Sequence, residues 1–322
     1  MVFSRIIVPV DGSAESECAL PVAAALARDW SVAVELVRVC TPLPRYGNAP
    51  VIDSVFDADM ARAIAAALQD TARRFAAEHD IAATAHQLTG PVAAALTAHV
   101  DARRDALVVI SSHGRGGVSR AWLGSVADAL IRRSGSPVLV VPRNAAGGTG
   151  ARPASRFRRI LVPLDGSKFS MQVLEVAGAF ASATGTEVHL VRVLEPLPTM
   201  EPFPDLAAVI ERRRAAVAVA EQHQRAKADL ERVGRSLGRP AGTVRTHVEL
   251  SSRAATVLLR YARASDIDLV AIATHGHGGL TRAALGSVAD QVVRGADVPV
   301  VVFRPAGKRA LRSRRARTQA VQ

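Results

Sequence analysis

Residues 106–128 read ALVVISSHGRGGVSRAWLGSVAD, and residues 268–290 read DLVAIATHGHGGLTRAALGSVAD. The two segments align without a gap at an offset of 162, and 12 of the 16 positions from His113 to Asp128 are identical in the later copy. Each opens on a short apolar, β-branched run (Leu107 to Ile110; Leu269 to Ile272), passes through a glycine-rich loop and enters an Ala-rich helical pattern. That order predicts strand, loop and helix, twice over.

The loop composition says what such a segment can do. Glycines let a ligand approach the main chain, so successive backbone N–H groups can converge on an anion. Gly124-Ser125 and Gly286-Ser287 then open helices, where unpaired N–H groups and the positive dipole end favour phosphate. Taken once, the pattern reads more readily as a turn followed by a helix cap. Its recurrence after a predicted strand favours a phosphate or nucleotide.

Further out, RIIVPVDGSAES (Arg5 to Ser16) and RILVPLDGSKFS (Arg159 to Ser170) match at 8 of 12 positions with an offset of 154. The second copy therefore carries about eight extra residues in its middle. Each copy predicts a first strand ending in Pro-x-Asp-Gly-Ser, whose serine can cap the next helix (Ala14 to Arg28; Lys168 to Ala183). Second strands follow (Val32 to Cys40; Glu187 to Leu194), then long helices (Val55 to His79; Asp205 to Leu237), third strands (Ala82 to Leu88; Thr243 to Leu250) and third helices (Val92 to Ala102; Arg253 to Ala264). The repeated segment and a last strand (Pro137 to Val141; Pro299 to Phe303) complete each copy. Strands with little alternation of polarity, separated by helices, predict parallel sheets covered on both faces.

A chain of 322 residues suits two such units. The expected division is a first domain at 1–143, a flexible basic linker at 144–157, a second domain at 158–304 and a disordered basic tail at 305–322. Hydrophobic residues at 49% and charged residues at 22% fit a folded, soluble chain, and no apolar run approaches the roughly 18 residues of a membrane span. The net charge of +12 equals the twelve basic residues found between Arg143 and Arg159 and from Arg304 to Gln322, stretches without a single acid. The folded units are then close to neutral, and no specific nucleic-acid partner is expected. Cys18 and Cys40 have no metal-ligand spacing, and no metal-binding residues are expected. MVFSRIIVPVDGS enters a strand pattern within five residues, leaving no room for a secretory leader, so the expected location is the cytoplasm.

The spacing Ser111, Gly114, Gly124, Ser125, repeated as Ala273, Gly276, Gly286, Ser287, resembles the ATP-binding signature G-x2-G-x9-G-[ST] of the universal stress protein family. The opening strand with Asp-Gly-Ser and the closing PV[LV]V strand resemble that family too, so the likeness covers both halves nearly end to end. It implies an α/β fold of two tandem doubly wound domains, each a five-stranded parallel sheet in order 3-2-1-4-5 with helices on both faces. Ligands of such sheets bind at the carboxyl ends of the strands, beside the switch point between strands 1 and 4.

The resemblance further implies ATP, with Mg2+ on its phosphates, held by Asp11, Val39, Ser111, Gly114, Gly124 and Ser125, and again by Asp165, Val193, Ala273, Gly276, Gly286 and Ser287. The signature's first glycine is replaced by Ser111 and Ala273, which adds a Cβ in the ribose region. Asp11 and Asp165 read alternatively as turn residues. His113 and His275 read as packing or loop residues more readily than as general bases, and Arg120 and Arg282 either neutralise polyphosphate or face solvent. Asp128 and Asp290, in a first helical turn, complement the dipole. Trp122 faces Ala284 and is no shared requirement.

The expected function is a nucleotide-linked regulator in stress response or dormancy. A slow ATPase or phosphotransferase is one alternative, and it lacks the phosphate-loop lysine of a G-x4-G-K-[ST] site. A scaffold that binds no nucleotide is another. No catalytic residue is assigned. An apolar last strand is a pairing hazard unless covered, and the resemblance implies antiparallel pairing of such strands, so Val138 to Val141 and Val300 to Phe303 are expected to join the two halves as an intrachain pseudo-dimer, or two chains as a homodimer.

Overall fold

The apolar runs form ten strands among the described residues: β1 (Arg5–Pro9), β2 (Ala33–Cys40), β3 (Ala83–Thr89), β4 (Ala106–Ser111), β5 (Val138–Val141), β6 (Arg159–Pro163), β7 (Glu187–Leu194), β8 (Val244–Leu250), β9 (Leu269–Ala273) and β10 (Val300–Phe303). The computed structural model describes residues 3–41, 52–103, 105–112, 123–143, 157–181, 185–196, 206–240, 242–274 and 285–304, with side chains of the two longest helices from 58 and 213 onward. In the first half the order is β3-β2-β1-β4-β5, and the second half repeats it as β8-β7-β6-β9-β10. Within each half every pairing is parallel.

Two separate sheets do not result. β5 and β10 pair antiparallel, with Leu139 opposite Val301, and merge the halves into one ten-stranded sheet. Each last strand thereby covers the edge of the other, which removes two exposed apolar edges.

Helices cover both faces. α2 (Leu20–Trp30), α3 (Ile52–His79), α6 (Val173–Phe180) and α7 (Leu206–Ser236) pack on one side, while α4 (Val92–Asp101), α5 (Ser125–Arg133), α8 (Ala254–Ala264) and α9 (Ser287–Gly295) pack on the other. Strand alternation explains the division: Ile6 and Val8 enter the first core and Ile7 the second, all fully buried. Both cores run across the junction. On the first face Phe180 stands with ring centroids 5.1 Å from Trp30, 5.7 Å from Phe157 and 6.3 Å from Phe3, joining aromatic rings of both halves.

The helix expected from Ala14 to Arg28 is broken into α1 (Ala14–Glu17) and α2. Pro21 near the start of α2 lacks an N–H, and its ring would meet the carbonyl of Glu17, so the first helix stops there. The helix expected from Lys168 is also late, with a 3-10 turn at Ser170–Gln172 ahead of α6. There Ser167 accepts from the Ser170 N–H at 3.0 Å and the Ser170 hydroxyl donates to the Ser167 carbonyl at 3.0 Å, a local pairing that competes with helix.

Candidate functional site

β1 lies between β2 and β4, so the carboxyl ends of these three strands form the switch point of the first half; β6, β7 and β9 form that of the second. Val10 donates its N–H to Val37 at 2.9 Å, and Leu164 does so to Val191 at 2.8 Å, holding the chain against the second strand just before it turns. Gly12 and Gly166 then adopt φ +81 and +87, a left-handed conformation that favours glycine. Asp11 accepts the Ser13 N–H at 2.9 Å and Asp165 accepts that of Ser167 at 2.8 Å. One oxygen of each aspartate thus serves the turn. The hydroxyl of Ser13 caps α1 by accepting the Ser16 N–H at 3.2 Å.

The neighbouring second strand contributes residues the sequence pattern did not single out. A Cβ at Gly12 would lie 2.8 Å from a terminal nitrogen of Arg38, and one at Gly166 would lie 3.2 Å from the guanidinium carbon of Arg192. Arg192 is buried; its Nε donates to the Leu164 carbonyl at 3.3 Å and it pairs with Asp229 at 3.4 Å. A guanidinium therefore lies beneath each Asp-Gly-Ser turn, one residue before Val39 and Val193. The signal was present as the repeated Val-Arg-Val of both strands.

Ser111 and Ala273 are the last residues of β4 and β9, and both are buried. The chain departs from there and returns almost to the same point: Gly124 donates its N–H to Ser112 at 2.8 Å, and Gly286 donates to Thr274 at 2.8 Å. The approach at Gly286 is so close that a Cβ would sit 2.8 Å from the Thr274 carbonyl oxygen. Gly114, Gly276, His113, His275, Arg120, Arg282 and Trp122 lie outside the described residues.

Gly124 and Gly286 are the N-caps of α5 and α9, and neither has a side chain to cap with. The first intrahelical bonds run from Asp128 and Asp290 back to these glycines at 2.9 Å. The N–H groups of residues 125–127 and 287–289 precede those bonds at the positive end of a nine-residue helix. Chemically this is a donor set for an anion.

Asp128 and Asp290 do more than complement the dipole. Arg132 pairs with Asp128 at 2.8 Å and Arg294 with Asp290 at 3.0 Å, each along its own helix, and Arg132 reaches Asp290 at 3.8 Å and Arg294 reaches Asp128 at 3.9 Å across the junction. Hydrogen bonding to Asp128 raises the affinity of Arg132 for its proton. Arg304 donates to the Arg132 carbonyl at 2.7 Å, so the end of the second half also seats on α5. The two helices that open at Gly-Ser are consequently tied to each other.

A family model for the universal stress protein family matches residues 3–142 and again 156–304. The chain belongs to the universal stress protein family. A universal stress protein of Mycobacterium tuberculosis (strain ATCC 25618 / H37Rv) is 33% identical over 199 residues, 62% of this chain and 61% of that protein, so the chain spans less than two thirds of that relative. Another from the same strain is 30% identical over 315 residues, 93% of this chain and 94% of that protein. Among solved structures, a universal stress protein from Archaeoglobus fulgidus shares the fold with a TM-score of 0.61 at 21% identity, covering 94% of this chain and 96% of that one. No helix of the described residues is long and apolar enough to cross a membrane.

Away from the switch point the first half holds a polar cluster that sequence reading missed. Glu35 of β2, His86 of β3 and His99 of α4 converge under α4, with Arg103 beside them. Burial lowers the proton affinity of His99, with Glu35 opposing the shift. The second half places His189, His247 and Tyr261 at the corresponding positions.

Proposed function

We propose that each half holds one adenine nucleotide, ATP with Mg2+ on its phosphates, and that occupancy of the two sites regulates a stress or dormancy response in the cytoplasm. The observation that carries this reading is the return of the chain at Gly124 and Gly286 to the switch-point edge, where each glycine opens a helix without a capping side chain. Phosphate satisfies the N–H groups that such a start presents. In this reading Gly124-Ser125 and Gly286-Ser287 hold phosphates, Ser111, Gly114, Ala273 and Gly276 lie by the ribose, and Asp11, Val39, Asp165 and Val193 lie by adenine. Carboxylates near the helix starts, Asp128 and Asp290, are engaged by arginines. Mg2+ would then depend on phosphate oxygens for its attachment.

Regulation rather than turnover follows from the same donor set. Main-chain N–H groups bind phosphate but move no proton, and no lysine stands at the described start of either helix. Binding to the folded state shifts populations by mass action, which suffices to signal nucleotide level.

The direct test is to purify the chain without added nucleotide, denature it and quantify what is released, then titrate the emptied protein with ATP and Mg2+. Two nucleotides per chain are expected. No release and no binding in the titration would leave the nucleotide-free scaffold.

A further inference from the structure

We propose that Glu35, His86 and His99 form a binding site for one divalent transition-metal ion, with zinc as its best-matched occupant, between α4 and the β2–β3 edge of the first half. The site is independent of the nucleotide reading. Glu35 lies four residues, roughly 13 Å of strand, before Val39, away from the carboxyl edge.

The fold brings the three ligands together from positions far apart in sequence. In the parallel register Glu35 faces Thr84 and Val37 faces His86, so Glu35 and His86 stand two residues apart on one face of the sheet. α4 covers that face with Leu96 and Val100 in the core, and His99, next to Val100, is buried with them. His99 Nε2 is 2.9 Å from Glu35 Oε1, His86 Nδ1 is 3.7 Å from the same oxygen, and all three ligand atoms lie within 4.8 Å of one another. Tetrahedral coordination with bonds of about 2.0–2.1 Å places ligand atoms about 3.3 Å apart. Small side-chain rotations bridge that difference. Among the described residues no second set of three His, Cys, Asp or Glu ligands converges in this way.

Burial fits an ion with one open side. The Glu35 and His99 side chains are 10% and 5% exposed, whereas His86 is 47% exposed, so entry and a fourth, water ligand lie on the His86 side. Two imidazoles and one carboxylate suit zinc and its neighbours rather than Mg2+ or Ca2+, which prefer oxygen.

Stability alone gives no reason for this cluster. Glu35 Oε2 is buried without a hydrogen bond, its nearest described cation being Arg103 Nε at 3.4 Å. Buried ion clusters are weak contributors compared with apolar packing. The second half shows that the fold does not require the carboxylate, since His189 stands where Glu35 does and is held by the Tyr261 hydroxyl at 3.0 Å.

The hydrogen bonds also state what metal entry must displace. Arg103 can only donate, so at 3.2 Å it donates to His99 Nδ1, which places the ring proton on Nε2 facing Glu35. Coordination through Nε2 moves that proton to Nδ1 with no net release and requires Arg103 to give up this contact. Arg103 therefore competes with the ion, both as a donor and as a positive charge.

The experiment uses the untagged full chain after chelator treatment, titrated with Zn2+ by calorimetry and with Co2+ by visible absorption. One ion per chain with tetrahedral Co2+ bands is expected, weakened at least about ten-fold by His86→Ala and by Glu35→Gln and unchanged by His247→Ala. Because His86 is half exposed, His86→Ala is expected to keep the wild-type urea midpoint, which separates lost ligation from lost folding. Arg103→Met should tighten binding; failure to do so would overturn coordination through His99 Nε2. Absence of binding in the wild type, or binding indifferent to His86→Ala and Glu35→Gln, would overturn the site.

Discussion

The two halves repeat each other in the ion pairs of their junction and in the turns and Gly-Ser helix starts of the switch point, and differ under the helices that cover their second and third strands. At the junction each half supplies an Asp and an Arg four residues apart, and each reaches the other's partner at 3.8 and 3.9 Å. Under α4 and α8 the same strand and helix positions carry Glu35, His86 and His99 in one half and His189, His247 and Tyr261 in the other. Within one chain the fold is a constant, so the difference separates what the architecture demands from what a particular half adds. The seam and the Gly-Ser helix starts are common to both halves, whether through the fold or through a shared ligand, and the polar clusters are what each half adds.

The largest expected effect breaks the seam. Phe180 is buried among Phe3, Trp30 and Phe157, rings of both halves, so Phe180→Ala removes packing that neither half can replace alone. A loss of about 3–5 kcal/mol is expected in urea unfolding, together with a broader transition as the halves uncouple. A cost below about 1 kcal/mol would mean that the strand pairing of β5 and β10 holds the halves without the aromatic cluster.

Next in size is a test that makes the switch points unequal. Gly286→Ala places a Cβ 2.8 Å from the Thr274 carbonyl, a backbone atom that cannot swing away, so the return of the chain must distort. In the two-site reading, nucleotide released per chain falls from two to one, and Gly124→Val gives the same result from the other half. Retention of two nucleotides in both variants would place the phosphates elsewhere.

The differing clusters predict a difference in pH response. His189 has its proton affinity lowered by burial, against the hydrogen bond that its Nε2 donates to Glu187, with Arg245 and Arg159 adding positive charge nearby and Tyr261 on the other ring nitrogen. A histidine depressed in the folded state stabilises fully above its unfolded pKa of about 6.5, and that stability is lost as pH falls below it. His189→Gln cannot take up the proton. Its unfolding midpoint should therefore fall less than that of the wild type between about pH 7 and pH 5; parallel profiles would remove His189 as a source of acid sensitivity.

Much of the architecture was legible because it is local. Ser13 before a helical pattern, Asp-Gly-Ser after an apolar run, and Gly-Ser ahead of an Ala-rich stretch each signal a cap or a turn within a few residues. Helix ends came within a few residues, as with α7 at Leu206–Ser236 against an expected Asp205 to Leu237. What was not legible depends on distant contact. Glu35 in the strand AVELVRVC looks like an ordinary polar interruption until His99, 64 residues later, is brought to 2.9 Å. Asp128 looks like a dipole partner until Arg294 arrives from the other half. Arg38 and Arg192 are charged residues at strand ends whose neighbour, the left-handed glycine turn, becomes visible only once β1 and β2 are paired.

The smallest expected effect tests whether the charges at the junction fasten the halves. All four side chains are about 30% exposed, 29% or 30% each, so solvent screens the cross pairs and their contribution is small. A double-mutant cycle of Arg132→Ala with Asp290→Ala should return a coupling of about 0.2–1 kcal/mol, shrinking as salt is raised toward about 0.5 M. The intrahelical pair offers the internal control. Arg132 lies 2.8 Å from Asp128 and 3.8 Å from Asp290, so coupling to Asp128 must exceed coupling to Asp290 if separation governs both. The reverse order would indicate that the cross pair gains from the shared burial of the seam.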